Sequence, residues 1–107
     1  MGIERRLHPR FGLYAVARLE HAQLTYLMSV RNISAGGVLL SADHNDLSTL
    51  LEGTRHEVAI FDPGERKRQI KVFAHVTRNE RARIAFTWNE DAGAILKVEA
   101  FLDEVRQ

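Results

Sequence analysis

A chain of 107 residues with 45% hydrophobic and 27% charged side chains holds enough apolar material for one buried core and too little length for two ordinary domains. A formal net charge of +1 argues against a general binder of nucleic-acid polymers, and the absence of cysteine excludes disulfides, thiolate nucleophiles and cysteine-based zinc sites. No apolar run approaches the ~18 residues of a membrane span and residues 1–6 do not lead into a secretory signal, so a single cytoplasmic domain without membrane insertion is expected over 1–107.

The first ten residues carry Arg5, Arg6, His8 and Arg10, with Glu4 as the nearby acid. Nothing before Phe11 has a core-facing pattern, so 1–10 reads as a flexible arm. Over 11–19, Leu13, Ala15, Ala17 and Leu19 alternate with Tyr14, Val16 and Arg18, the period of a strand. Glu20, His21 and Ala22 read as a turn, and over 23–31 the alternation resumes with Leu24, Tyr26, Met28 and Val30 on one face. This second strand feeds the polar stretch Asn32-Ile33-Ser34-Ala35-Gly36-Gly37, which reads as a turn between two strands of one sheet. Asn and Ser bond nearby backbone there. Gly36 and Gly37 admit positive φ and close approach of a ligand, and successive N–H groups in such a turn form a concavity suited to an anion.

Val38, Leu39 and Leu40 continue as a third, short strand. Residues 43–53 read as a loop with one helical turn around Leu47, Leu50 and Leu51, and 57–61 reads as a strand ended by the turn Asp62-Pro63-Gly64. Ile70, Val72, Ala74 and Val76 mark a long half-buried strand, which Asn79 and Glu80 turn back into a last one over 83–88. Then the period changes. Ile95, Val98, Leu102 and Val105, with Ala94 and Phe101 beside them, form a helical stripe that Asn89 or Asp91 can cap. Six short antiparallel strands must hide their edges by closing, with a helix over one end. The expected fold is therefore all-β with a terminal helix: a six-stranded antiparallel β-barrel over 11–88 plus a C-terminal α-helix over 89–107, with Phe86, Trp88 and Phe101 in the core.

Two motifs stand in an informative order: Arg6-x-x-x-Arg10 ahead of the first strand, and Asn32-x-Ser34-x-x-Gly37 between the second and third. In this the chain resembles the PilZ domain family, whose signatures are an Arg-x-x-x-Arg near the N-terminus and an Asp/Asn-x-Ser-x-x-Gly between those strands. The resemblance implies a receptor for cyclic di-GMP, a bacterial second messenger with two guanines and two phosphodiesters. Arginine suits such a ligand because its planar fork bonds phosphate or a guanine edge bidentately and its face stacks on a purine. By that resemblance Arg6 and Arg10 are the clamps, Asn32 meets a guanine edge, Ser34 a phosphate or base, and Gly36 and Gly37 keep the backbone clear. Arg5 adds a third guanidinium, and relatives with arginine there tend to take an interleaved pair of ligands, so two molecules per chain are expected.

Two positions depart from the family. Asn32 stands where aspartate is common, offering donors and an acceptor but no charge, and Ala85 stands where many relatives have glycine. The five histidines lack ligand spacing, and Ser41, Asp43 and His44 lack the setting of a nucleophile elbow, so no metal, cofactor or catalysis is expected. The run Glu65-Arg66-Lys67-Arg68 reads as a solvated turn. Two functions remain: a cyclic di-GMP receptor that signals through an unidentified protein effector, in motility, biofilm or exopolysaccharide control, and a ligand-independent interaction module. The second occurs in relatives that have lost the arginines or the turn residues, which are intact here.

Overall fold

The computed structural model describes residues 15–41, 48–62, 68–80 and 82–105. The alternating stretches form β1 (Val16–His21), β2 (Leu24–Ser34), β3 (Gly37–Ser41), β4 (Arg55–Phe61), β5 (Gln69–Glu80) and β6 (Arg83–Thr87), followed by α1 (Ala92–Val105). The strands close into an antiparallel barrel in the order β1-β2-β3-β6-β5-β4. Its interior is filled by the apolar half of each alternation, including Leu19, Tyr26, Ile33, Leu40, Ile60 and Phe86. The expected barrel with a C-terminal helix is the observed fold.

Several boundaries moved. β1 runs on to His21, and the β1–β2 connection is the two-residue turn Ala22 and Gln23, with φ of 53° and 66°. Two consecutive left-handed residues match the twist of a hairpin, at a cost of roughly 1–2 kcal/mol each where no glycine is present. β5 continues through the expected turn at Asn79 and Glu80, which pair with Ile84 and Arg83 of β6. Asn79 Nδ2 donates to the Leu50 carbonyl at 2.9 Å, tying β5 to the 48–54 loop, where Leu50 is fully buried. The described part of that loop forms turns instead of a helical turn, with Gly53 at φ 88°. The residues that precede Ala15, the Pro63-Gly64 turn and the run 65–67 lie outside the described residues.

The helix starts at Ala92, later than expected, because Asn89 and Glu90 first turn the chain: the Asp91 N–H donates to the Trp88 carbonyl at 2.9 Å. Asp91 then caps it, its carboxylate accepting the Ala94 N–H at 3.0 Å. Ala94, Val98, Phe101 and Leu102 form the buried stripe, and burying side chains of the Val98 and Phe101 class contributes about 1.5–3 kcal/mol each. Lys97 Nζ reaches the Lys71 carbonyl of β5 at 3.1 Å, and Arg68 pairs with Glu104 at 2.6 Å. Among the described residues no helix is long and apolar enough to cross a membrane.

Candidate ligand-binding site

In β2 the side chains of Tyr26, Met28 and Val30 are buried, and strict alternation would put Asn32 and Ser34 on the same inward face. A β-bulge between Val30 and Asn32 prevents this. The extra residue, Arg31, breaks the count, so Ile33 becomes the fully buried residue while Asn32 and Ser34 sit half-exposed on the outside. Asn32 and Ser34 thus belong to the end of a strand, where a turn was expected.

The turn proper is Ala35 and Gly36, closed by the pairing of Ser34 with Gly37. Its carbonyls are held by the end of β6 and the residues that follow: the buried Trp88 indole N–H donates to Ala35 O, while Thr87 Oγ1 (3.0 Å) and the Trp88 N–H (3.1 Å) donate to Gly36 O. Thr87 Oγ1 also accepts the Asn89 N–H at 3.1 Å. Among the described glycines only Gly53 has a positive φ, so the expected role of Gly36 and Gly37 in left-handed backbone is not what they supply. They supply room. A Cβ on Gly37 would stand 2.7 Å from the Phe86 carbonyl oxygen, and one on Gly36 would stand 2.8 Å from Asn89 Oδ1.

Cross-strand pairing carries this corner around the outside of the barrel. Ser34 pairs with Gly37, Gly37 with Thr87, Thr87 with His75 and His75 with Arg55, making one row across β2, β3, β6, β5 and β4. Directly paired residues share a face, and this face is the outer one, since the neighbouring Val38, Val76 and Phe86 are buried. A second outward row runs Asn32, Leu39, Ala85, Arg78, the last brought out by another bulge, between Val76 and Arg78. The structure therefore brings Asn32, Ser34, Gly36 and Gly37 together at one end of two outward rows. Arg5, Arg6 and Arg10 lie outside the described residues. Thr87 had no local signal, because only strand register sets it beside Gly37.

An open cleft of about 770 Å³ is lined by Arg55, Phe73, His75, Thr77 and Thr87 of the strands and by residues 88–92. Arg55 is the arginine of its lining, and its guanidinium lies 4.3 Å from the centre of the Phe73 ring, a cation–π pair, whereas Arg78 is not part of the lining. Arg78 is 3.7 Å from Glu80, an exposed contact that holds it weakly. His56 is set apart from this surface. Its ring meets the His21 ring edge-on at 4.9 Å, its Nε2 lies 2.8 Å from Thr54 Oγ1, and burial, followed by the charge of His21, lowers its pKa below the ordinary histidine value. Among the described residues no group of three His, Asp or Glu side chains is placed to hold a metal ion.

Comparison with known proteins gives a family and a fold. The profile described as the PilZ domain matches residues 4–104. No curated protein sequence matches. Among solved structures, the PilZ domain of YcgR from Escherichia coli with c-di-GMP is 14% identical at a TM-score of 0.75, over 96% of this chain and 92% of that one. The inhibitor of motility MotI/DgrA of Bacillus subtilis is 21% identical at a TM-score of 0.68, over 97% of this chain and 52% of that one. The MrkH–c-di-GMP complex of K. pneumonia is 22% identical at a TM-score of 0.62, over 97% of this chain and 56% of that one. The chain thus spans about half the length of the last two.

Proposed function

This chain belongs to the PilZ domain family, and from that premise we propose that it is a receptor for cyclic di-GMP, a binding module of the cytoplasm with no catalysis of its own. The observation that carries the reading is the bulge after Val30. It turns Asn32 and Ser34 outward beside Gly37, so three positions of the family signature offer hydrogen-bonding groups and bare backbone on one open surface. Cyclic di-GMP is present in two of the similar structures, the YcgR domain and MrkH.

In this reading Arg6 and Arg10 close over the ligand, their guanidinium forks taking phosphate oxygens and guanine edges. Asn32 bonds a guanine edge, Ser34 a phosphate or base, and Gly36 and Gly37 leave the backbone open. Arg5 provides the further cation that a second, interleaved ligand needs. Residues 1–10 adopt one arrangement with ligand and another without, and a protein effector reads the difference; the ligand's preference for the ordered form supplies the free energy.

Calorimetric titration with cyclic di-GMP, GTP and cyclic AMP tests the reading. Binding of cyclic di-GMP is expected, with GTP and cyclic AMP not bound to a comparable degree, because only cyclic di-GMP engages both motifs together. No heat and no thermal shift at tens of micromolar ligand would instead assign the chain to the ligand-independent interaction modules of the family.

A further inference from the structure

Among the described residues nothing covers the outer side of α1. Its exposed residues Ala92, Leu96, Glu99, Ala100 and Asp103 lie opposite the buried stripe of Ala94, Val98, Phe101 and Leu102, and Leu96 is 66% exposed. We propose that this outward face of α1 docks a basic amphipathic helix of a partner protein. The inference goes beyond the receptor reading and is tested on the ligand-free chain, so either can fail without the other.

The shape fits a helix. Leu96 is a large apolar side chain with the small Ala92 one turn before it and Ala100 one turn after, so a second helix can approach to an axial distance of about 8–10 Å. The stripe from Ala92 to Asp103 runs about 16 Å at ~1.5 Å per residue, or about three turns, enough to meet successive apolar residues of a docked helix. The apolar surface also continues off the helix. Ala92 lines the 770 Å³ cleft, where Phe73 of β5 is 47% exposed with the Arg55 guanidinium on its ring, so a side chain of the partner finds an aromatic contact there.

Charge names the partner. The whole chain carries a formal +1, yet exposed acids border this face: Glu90 and Asp91 at its start, Glu99 and Asp103 along it. Of the cations beside it, Lys97 is held on the Lys71 carbonyl, Arg68 is paired with Glu104, and Arg55 is stacked on Phe73. A helix whose apolar stripe is flanked by lysines or arginines is therefore attracted and steered. The same charge disfavours other occupants. A second copy placed symmetrically would set acids against acids, and an anionic membrane takes helices rich in Lys and Arg. The face is also one link from the signature corner, because Trp88 holds the Ala35 and Gly36 carbonyls while Asp91 bonds Trp88 and caps α1.

Calorimetry of the full, ligand-free chain with a synthetic peptide of about 18 residues, leucine at heptad positions a, d and e and lysine elsewhere, tests this. The controls are a peptide of the same composition in scrambled order and one of the same pattern with glutamate for lysine. The amphipathic lysine peptide is expected to bind with a Kd of about 10–100 μM, and both controls at least about tenfold more weakly. Leu96→Lys should weaken binding about tenfold, and Glu99→Lys about threefold with a shallower salt dependence. Leu24→Lys, at the exposed start of β2, should change it by less than about twofold. Equal binding of the scrambled peptide, or wild-type affinity in Leu96→Lys, would overturn the docking face. A chain that dimerises in sedimentation and loses the dimer in Leu96→Lys would assign the face to a second copy and overturn the proposal as well. Amide resonances of the unmodified protein cover the case of poorly folded variants: those of 92–103 should shift with the peptide, and shifts confined to the barrel would refute the site. A chain that binds the peptide but no cyclic di-GMP would keep this face and remove the receptor reading.

Discussion

Gly36 and Gly37 are adjacent and chemically identical, yet the structure predicts opposite outcomes for replacing each with alanine. A methyl group on Gly37 would meet the Phe86 carbonyl oxygen at 2.7 Å and the Thr87 Cα at 3.6 Å. Phe86 O is backbone of the adjacent strand, so relief requires parting β3 from β6 where Gly37 pairs with Thr87 and where Gly36 O holds Trp88. Overpacking of this kind costs about 1–3 kcal/mol. Alanine restricts the unfolded chain at either position, which offsets about 0.4–1 kcal/mol of that. The net expectation for Gly37→Ala is a loss of about 1–2 kcal/mol, or a fall in Tm of about 5–10 °C for a domain of this size. A methyl group on Gly36 meets only the Asn89 side chain, most closely Oδ1 at 2.8 Å, the far end of an exposed side chain that can rotate away. Neither glycine has a left-handed φ to penalise alanine, so Gly36→Ala should lie within about 0.5 kcal/mol of the wild type. Thermal and urea unfolding without ligand measure both. Equal stabilities, or a Gly36 variant weaker than the Gly37 variant, would refute the steric account of the corner.

Three further outcomes follow. Arg6→Ala and Arg10→Ala should each remove charge-assisted bonds of about 1.5–3 kcal/mol and weaken cyclic di-GMP at least about tenfold in calorimetry, with an unchanged melting temperature. Trp88→Phe keeps an aromatic ring but leaves the buried Ala35 carbonyl without its indole donor, so urea denaturation should show a loss of about 1–3 kcal/mol. The lowered pKa of His56 means that the unfolded chain binds the proton more readily, so its contribution to stability is fully present above pH ~6.5 and is lost as pH falls toward the folded-state value. Melting temperatures between pH 5 and 8 should accordingly decline on the acid side, and His56→Gln should flatten that slope.

Alternation made the barrel legible because the buried face of each strand is both apolar and periodic: Leu19, Tyr26, Met28, Val72 and Val76 are all in the core where their spacing puts them. The helix stripe was legible for the same reason, and Ala94, Val98, Phe101 and Leu102 are its buried face. The site was harder to see. Counting by twos from Tyr26 sends Asn32 and Ser34 into the core, and a polar run rich in glycine then looks like a turn.

The clue to the bulge is the apolar sequence itself, which goes from Tyr26, Met28 and Val30 to Ile33, a step of three where the strand needs two. Such a slip keeps an apolar residue inward only if one residue is extruded, and Arg31 is that residue. With the slip in place the spacing of the signature acquires a mechanical meaning. Asn32 and Ser34, two apart, share one face of a strand, while Ser34 and Gly37, three apart, are the paired residues that close a two-residue turn. The motif therefore places two polar side chains and one bare backbone position on the same outward surface, using local geometry alone. What local geometry cannot encode is the remainder of the surface. Thr87 comes from a strand far away in the chain, and it joins Gly37 only when the barrel closes and fixes the register of β3 and β6. The backbone of β6 that Gly37 leaves room for is brought there by that register, so the corner that presents Asn32 and Ser34 is completed only by the fold as a whole.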